Sequence, residues 1–397
     1  MDYNFSKKIS GIRPSAIREI LKLSSDPSVI PFSAGNPSSD SFPFEDLKRY
    51  SEEILSNTPT LALQYGVTEG YLPLRNVFKD RCKEIYGAFG ENDELIVTTG
   101  AQQVFDLLTK TLCDEGDTVI SEGPAFVGAL TSFKSNGANV VQVDVKEDGM
   151  DIDELTKAIE TSNNPRFIYC IPNFQNPTGL TTSAAKRREI LEVAKKYDLM
   201  VLEDNAYADL RFSGEEVPSI KSFDTDGRVV YAGSMSKLLS PGLRVGFASG
   251  PSDVIAKMTV AKQVSDVHTA MFNQMICHMF FTKTDLTEHI SKIRKIYREK
   301  AKLMLDILDK ESGGTFRYTR PEGGLFIWCN LTNNSDAMDF TKEVIKEKVA
   351  IVPGNAFYAD DSVVRNSFRL NFSSPTEEQI TVGTEILCRT AKSYSKS

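Results

Sequence analysis

Short apolar runs, three to five residues long and spaced by amphipathic stretches, mark the chain between about residues 95 and 248. They fall at 95–97, 118–120, 140–143, 167–171, 199–202, 229–232 and 245–248. Dominated by large apolar residues with little polar alternation, they have the pattern of strands buried on both faces. Between them, residues 101–112 keep helical spacing. Residues 151–160 place Ile152, Leu155 and Ile159 on one helix face behind Asp151 as N-cap. Residues 183–197 read as another helix. Strand and helix in alternation predict an α/β fold, with a mostly parallel sheet of seven strands between layers of helices.

The pattern changes after about residue 285. A long charged helix over 286–308 precedes a strand-like stretch at 325–330, a short helix near 337–347 and a closing helix near 376–390. That is the signature of a smaller α+β domain. The first 45 residues do not join the sheet: they hold a short helix at 15–23 and a loop-rich stretch at 31–43. The expected division is therefore an arm with a substrate-side helix (1–45), a large domain (46–285) and a small C-terminal domain (286–397).

Composition narrows the function classes. The chain has 397 residues, 41% hydrophobic and 25% charged, close to the globular average. Its 46 basic and 54 acidic residues give a net charge of −8, with no basic stripe for nucleic acid. Cys82, Cys113, Cys170, Cys277, Cys329 and Cys388 form no close pair, which fits reduced thiols in a cytoplasm. His268, His278 and His289 have no metal-ligand spacing, so no metal is expected. No stretch reaches 18 apolar residues and the start MDYNFSKKIS has no apolar signal core, so neither membrane nor export is expected.

The densest chemical signal is Ser234-Met235-Ser236-Lys237 directly after an apolar run, followed by Ser240-Pro241-Gly242-Leu243-Arg244. An amine between two hydroxyls, with a guanidinium seven positions on, suits an aldehyde that carries a phosphate. Two more strand ends add to it. Asn176-Pro177-Thr178-Gly179 follows the 167–171 run, and Asp204 with Tyr207 follows the 199–202 run. Ligands of open α/β sheets bind beyond the carboxyl ends of the strands. An amide, a carboxylate with a phenol, and a lysine thus converge on one crevice. A pyridine ring with a phenolic oxygen and an aldehyde needs such groups.

On these motifs, in this order, the chain from about residue 12 onward resembles the pyridoxal-phosphate aminotransferases of fold type I, class I/II. It is most similar to the 2-aminoadipate/kynurenine group in its Pro-Gly-x-Arg ending, in Ser15-Ala16-Ile17-Arg18-Glu19 and in Asn173-Phe174-Gln175-Asn176-Pro177. The resemblance implies pyridoxal 5′-phosphate as cofactor, with Lys237 as its Schiff-base lysine and proton shuttle. Asp204 would face the pyridinium nitrogen, and Asn176 and Tyr207 the ring phenolate. Ser234, Ser236 and Arg244 would bind phosphate, together with the helix-start turn Gly100-Ala101-Gln102. Phe126 would stack on the ring. Arg369 would clamp the substrate α-carboxylate near Gly35. Tyr65 would reach the phosphate of a neighbouring subunit, which implies a homodimer.

Some positions depart from the family pattern. Ala101 stands where Ser is frequent, Phe126 where Tyr is usual, and Asn36 where a small residue is common. None removes a catalytic group. The implied reaction moves an α-amino group to 2-oxoglutarate by a ping-pong cycle between amino acids and 2-oxo acids. 2-Aminoadipate is the favoured donor, with Arg18 and Ser15 on its distal carboxylate and aromatic or branched donors as additions. The alternatives are an aromatic or kynurenine aminotransferase and a cysteine-conjugate β-lyase. A transcriptional regulator with an aminotransferase-like effector domain is disfavoured, since the resemblance starting near residue 12 leaves no room for a DNA-binding segment.

Overall fold

The computed structural model describes residues 3–10, 26 and 28–394. The expected helix at 15–23, with Ser15 and Arg18, lies outside them. After Ile30–Pro31 (β1), a large sheet forms from Asp93–Thr98 (β2), Thr118–Gly123 (β3), Asn139–Lys146 (β4), Gly149–Met150 (β5), Pro165–Cys170 (β6), Met200–Asp204 (β7), Val229–Ser234 (β8) and Gly246–Pro251 (β9). Its spatial order is β2-β9-β8-β7-β6-β3-β4-β5. The seven apolar runs correspond to β2, β3, β4, β6, β7, β8 and β9, and the two-residue β5 adds an eighth member at the edge. All pairings from β8 through β7, β6 and β3 to β4 are parallel.

The run at 245–248 behaves differently from the other six. β9 is antiparallel to both neighbours, β2 and β8. The connection from Ser234 to Gly246 contains only a short 3₁₀ turn, Pro241–Leu243. A parallel return needs a longer crossover, usually a helix, so the chain turns back on itself. An apolar run carries no information about direction.

Helix starts follow capping chemistry. Asp151 accepts from the Glu154 N–H at 3.0 Å, Ser183 from Lys186 at 3.1 Å, and Asp285 from Glu288 at 3.0 Å. The long helix runs Leu286–Glu311, three residues beyond its expected end. Met271–Lys283 is helical although it has no polar face to mark its period, because it is buried on most sides.

A second, antiparallel sheet combines Phe316–Tyr318 (β10) and Phe326–Leu331 (β11), then, after Val349–Ala350 (β12), Val352–Pro353 (β13) and Ser367–Asn371 (β14). Its order is β10-β11-β14-β13. β1 pairs in parallel with β12, which brings the loop after Pro31 beside this sheet. Residues 33–35 thus lie between the two sheets, where the Ser33 carbonyl accepts from Arg369 and the Gly35 carbonyl from Lys237.

Candidate active site

Asn176, Asp204 and Lys237 lie at or just beyond the carboxyl ends of β6, β7 and β8, three neighbouring parallel strands. Asp204 ends β7 and is buried. Its Oδ2 accepts from the Tyr169 hydroxyl at 2.9 Å, while its buried Oδ1 has no hydrogen-bond partner. Lys237 Nζ donates to the Gly35 carbonyl at 2.7 Å. Asn176 Nδ2 donates to the Tyr207 hydroxyl at 3.5 Å, a long contact, and Asn176 Oδ1 accepts from Arg369 Nη1 at 2.8 Å.

Arg369 comes from the other sheet, on β14, and crosses to this cluster. Its Nη2 donates to the Ser33 carbonyl at 2.8 Å, and its guanidinium carbon lies 4.3 Å from the Phe326 ring centroid and 5.0 Å from that of Phe357. Cation–π contacts on two rings hold the planar fork while its Nε stays unpartnered. Residues 33–35 therefore take hydrogen bonds from both Arg369 and Lys237.

A second cluster sits at the start of the helix Ala101–Leu112. Gly100, its N-cap residue, has φ 75°, and a Cβ there would lie 2.5 Å from Arg244 Nη2. Only glycine suits both the positive φ and the close approach. Arg244 itself adopts φ 53° after the 3₁₀ turn. Gly246 lets β9 press against the helix start, since a Cβ would lie 2.7 Å from the Ala101 nitrogen. Ser234 Oγ accepts from the Ser236 N–H at 3.2 Å. The orphan N–H groups of a helix start, an arginine and hydroxyls form a site for a dianion.

The remaining expected residues are placed less uniformly. Phe126 is the N-cap residue of the helix Val127–Ser135, with its ring edge-on to Phe105 at 6.3 Å. The Gln102 side chain turns to the Gly128 carbonyl at 2.6 Å, so only its backbone serves the helix start. Tyr65 is not brought into the cluster of this chain. It is 82% exposed and meets only the His268 ring edge among the aromatic side chains described.

Electrostatics separate the acid from the base. Burial pushes Asp204 up to about 7, against the Tyr169 hydroxyl, the Ala206 N–H and the Lys237 charge. Burial, then the Arg369 and Arg244 charges, pulls Lys237 down to about 8. Burial also lowers Arg369 to about 10 and raises Tyr207 above the usual phenol range. A cationic donor offered to Asp204 Oδ1 would reverse much of that acid's burial penalty.

The family model for class I and II aminotransferases matches residues 27–387. The chain belongs to that family. The 2-aminoadipate transaminase of Thermus thermophilus is 39% identical over 98% of this chain and 96% of its own length. Aromatic-amino-acid aminotransferase 1 of Thermococcus litoralis is 36% identical over 100% and 96%. Among solved structures, the Thermus thermophilus α-aminoadipate aminotransferase complexed with N-(5′-phosphopyridoxyl)-L-leucine superposes with a TM-score of 0.90. It is 37% identical over 98% of this chain and 97% of that one.

Several residues around this cluster escape a reading of the sequence. Tyr169 lies inside an apolar run and looks like core. Glu122 is buried, accepts from the Ile171 N–H at 3.0 Å and from Gln175 Nε2 at 3.1 Å, and burial pushes it up to about 8. Arg187 is fully buried and donates to Pro172 and Thr182 carbonyls and to Asn173 Oδ1, bracing the loop that carries Asn176. Its place in a helix gives no hint of that role, because most of the acceptors, such as the Pro172 carbonyl and Asn173 Oδ1, belong to a loop set by the fold. Among the described residues no group of His, Cys, Asp and Glu could hold a metal ion, and no helix is long and apolar enough to cross a membrane.

Proposed function

We propose that the chain is a pyridoxal-phosphate aminotransferase that uses Lys237 as base and attachment point, Asp204 as the ring-nitrogen partner and Arg369 as the carboxylate clamp. The observation that carries this reading is the convergence of Lys237, Asp204 and Asn176 at three adjacent strand ends, with Arg369 reaching over them. The residues fit the cofactor on their own geometry. Asp204 Oδ1 is a buried acceptor without a partner, the need that a pyridinium N–H meets. The Gly100 turn, with Arg244 beside it, fits a phosphate, and a side chain at Gly100 would fill that cradle.

Pyridoxal phosphate, when bound, supplies an aldehyde for an amine and a protonated ring that draws electrons from the bond being broken. Asp204 keeps the ring nitrogen's proton in place as a carboxylate. Asn176 and Tyr207 orient the ring through its phenolic oxygen, and Phe126 packs on its face. Ser234, Ser236, Arg244 and the backbone of residues 100–102 hold the phosphate. Arg369 binds the donor's α-carboxylate and so aims the α-hydrogen at Lys237. Lys237, as a free amine, would take up that α-proton at its Nζ, and its lowered basicity matches this task near neutral pH. The donor's 2-oxo acid leaves before 2-oxoglutarate enters as acceptor.

For the donor we favour 2-aminoadipate, supported by the 39% identity to a 2-aminoadipate transaminase. Aromatic amino acids are the second reading, supported by the Thermococcus litoralis relative. A panel of 2-aminoadipate, leucine, phenylalanine, kynurenine and a cysteine conjugate with 2-oxoglutarate orders these readings. Arg18→Ala is expected to lower kcat/KM about tenfold or more for 2-aminoadipate and under twofold for leucine, the effect of losing one charge pair. Equal losses for both donors remove Arg18 from specificity.

The proposed assembly is a homodimer. Leu61, Leu63, Tyr65, Val67 and Leu72 all expose apolar surface within twelve residues, the kind of patch that a second copy covers. Tyr65 would then reach the partner's phosphate site. Light scattering of the loaded enzyme is expected to give twice the chain mass, and full activity in a monomer overturns this assembly.

A further inference from the structure

We infer that Tyr169 is a positioning residue for Asp204, holding the carboxylate so that Oδ1 stays aimed at the cofactor's ring nitrogen. This rests on the functional reading above. The two groups come from neighbouring parallel strands. β6 and β7 pair Tyr169 with Leu202 and Cys170 with Glu203, so the Tyr169 side chain must lean along the strands to meet Asp204. Its hydroxyl donates to Oδ2 at 2.9 Å with both groups buried.

The tyrosine has little freedom to do otherwise. Phe105 meets its ring edge-on at 5.6 Å and Phe133 at 5.3 Å. Phe105 also touches Phe126 at 6.3 Å, so one aromatic column supports both the proposed stacking ring and the Asp204 donor. The other groups facing Asp204 are engaged elsewhere. Lys237 donates to Gly35, Tyr207 meets Asn176, and Glu122 takes the Ile171 N–H and Gln175. The Ala206 N–H adds a backbone donor. Tyr169 is the side-chain donor found on Asp204 among the described residues.

The consequence concerns where a proton resides. Donation from Tyr169 favours the ionised carboxylate, opposing the burial that raises Asp204 to about 7. Without that hydroxyl, Asp204 competes more strongly with the ring nitrogen for their shared proton. The ring then draws electrons less well, and the orientation of Oδ1 is no longer fixed.

Tyr169→Phe tests this because the ring contacts with Phe105 and Phe133 remain. In the cofactor-free enzyme, carbon NMR of labelled aspartate is expected to show the Asp204 titration midpoint moving up from about 7. In the loaded enzyme, the dissociation constant for pyridoxal phosphate is expected to rise about tenfold, the effect of one hydrogen bond to a charged group. The pH midpoint of the bound cofactor's visible band should also move up, because a less positive ring withdraws less charge from the conjugated nitrogen. In an Asp204→Asn background the same change should leave cofactor affinity unaltered. An unmoved Asp204 titration, or an equal affinity loss in the Asp204→Asn background, overturns the role. If the wild-type enzyme binds no pyridoxal phosphate, the functional reading fails, while the cofactor-free titration still decides the Tyr169–Asp204 contact.

Discussion

Lys237→Ala is expected to lower kcat for every donor by on the order of 10⁴-fold, because one amine performs two tasks. It captures the cofactor, and it carries the α-proton. The remaining site should still bind pyridoxal phosphate through Asp204, Asn176 and the Gly100 cradle, so loss of activity is not loss of cofactor. Borohydride should fix the cofactor covalently to the wild-type chain and leave it dialysable in the variant. Lys237→Arg is expected to be equally inactive, since a guanidinium keeps its proton across the accessible pH range. Added methylamine should restore part of the Lys237→Ala rate, as a free amine can take over proton transfer but not the tethering. A variant that keeps more than about one per cent of wild-type turnover contradicts the assignment, because a positioned base contributes at least a hundredfold.

The site was legible where chemistry follows directly on an apolar run. Lys237, Asp204 and Asn176 each stand within a few residues of a strand end, so the alternation of the chain alone brings them to one edge of the sheet. Arg369 was legible only through resemblance, since nothing local in Phe368-Arg369-Leu370 says that its fork crosses to Asn176. Tyr169 and Glu122 were hidden because a polar atom in a buried strand is invisible until the neighbouring strand is known. Their partners, Asp204 and the Ile171 N–H, are set by which strands lie side by side. The direction of β9 was hidden for a similar reason, being decided by the short connection before it rather than by its own residues. Tyr65, expected at the phosphate of a neighbouring subunit, is exposed in the single chain, so its own fold gives no local sign of that contact.

Asp204→Asn is expected to cut turnover and yet stabilise the cofactor-free protein. The loss arises because an amide cannot keep the ring nitrogen charged, so an electrostatic contribution worth about 10²–10³-fold in kcat disappears. The gain arises from linkage. The Asp204 pKa is raised from 3.8 to about 7 in the folded chain by burial. Below about pH 4 the acid is protonated both folded and unfolded, and it behaves like a neutral amide. As pH rises, the unfolded chain gives up this proton first while the folded chain retains it, so stability falls until the folded group also ionises near pH 7. The cost then levels off at up to about 4 kcal/mol. Asparagine never ionises and escapes it. Melting curves of the two cofactor-free proteins should therefore lie close together at pH 4 and separate progressively to pH 8, with the variant higher. Comparing the two pH values cancels any constant packing difference. Pyridoxal phosphate should reverse the order at pH 8, because its cationic ring N–H pairs with a carboxylate far more strongly than with a neutral amide oxygen. Parallel melting temperatures across that range, with no change of sign on loading, would falsify both the raised pKa of Asp204 and the assignment of its Oδ1 as the ring-nitrogen acceptor.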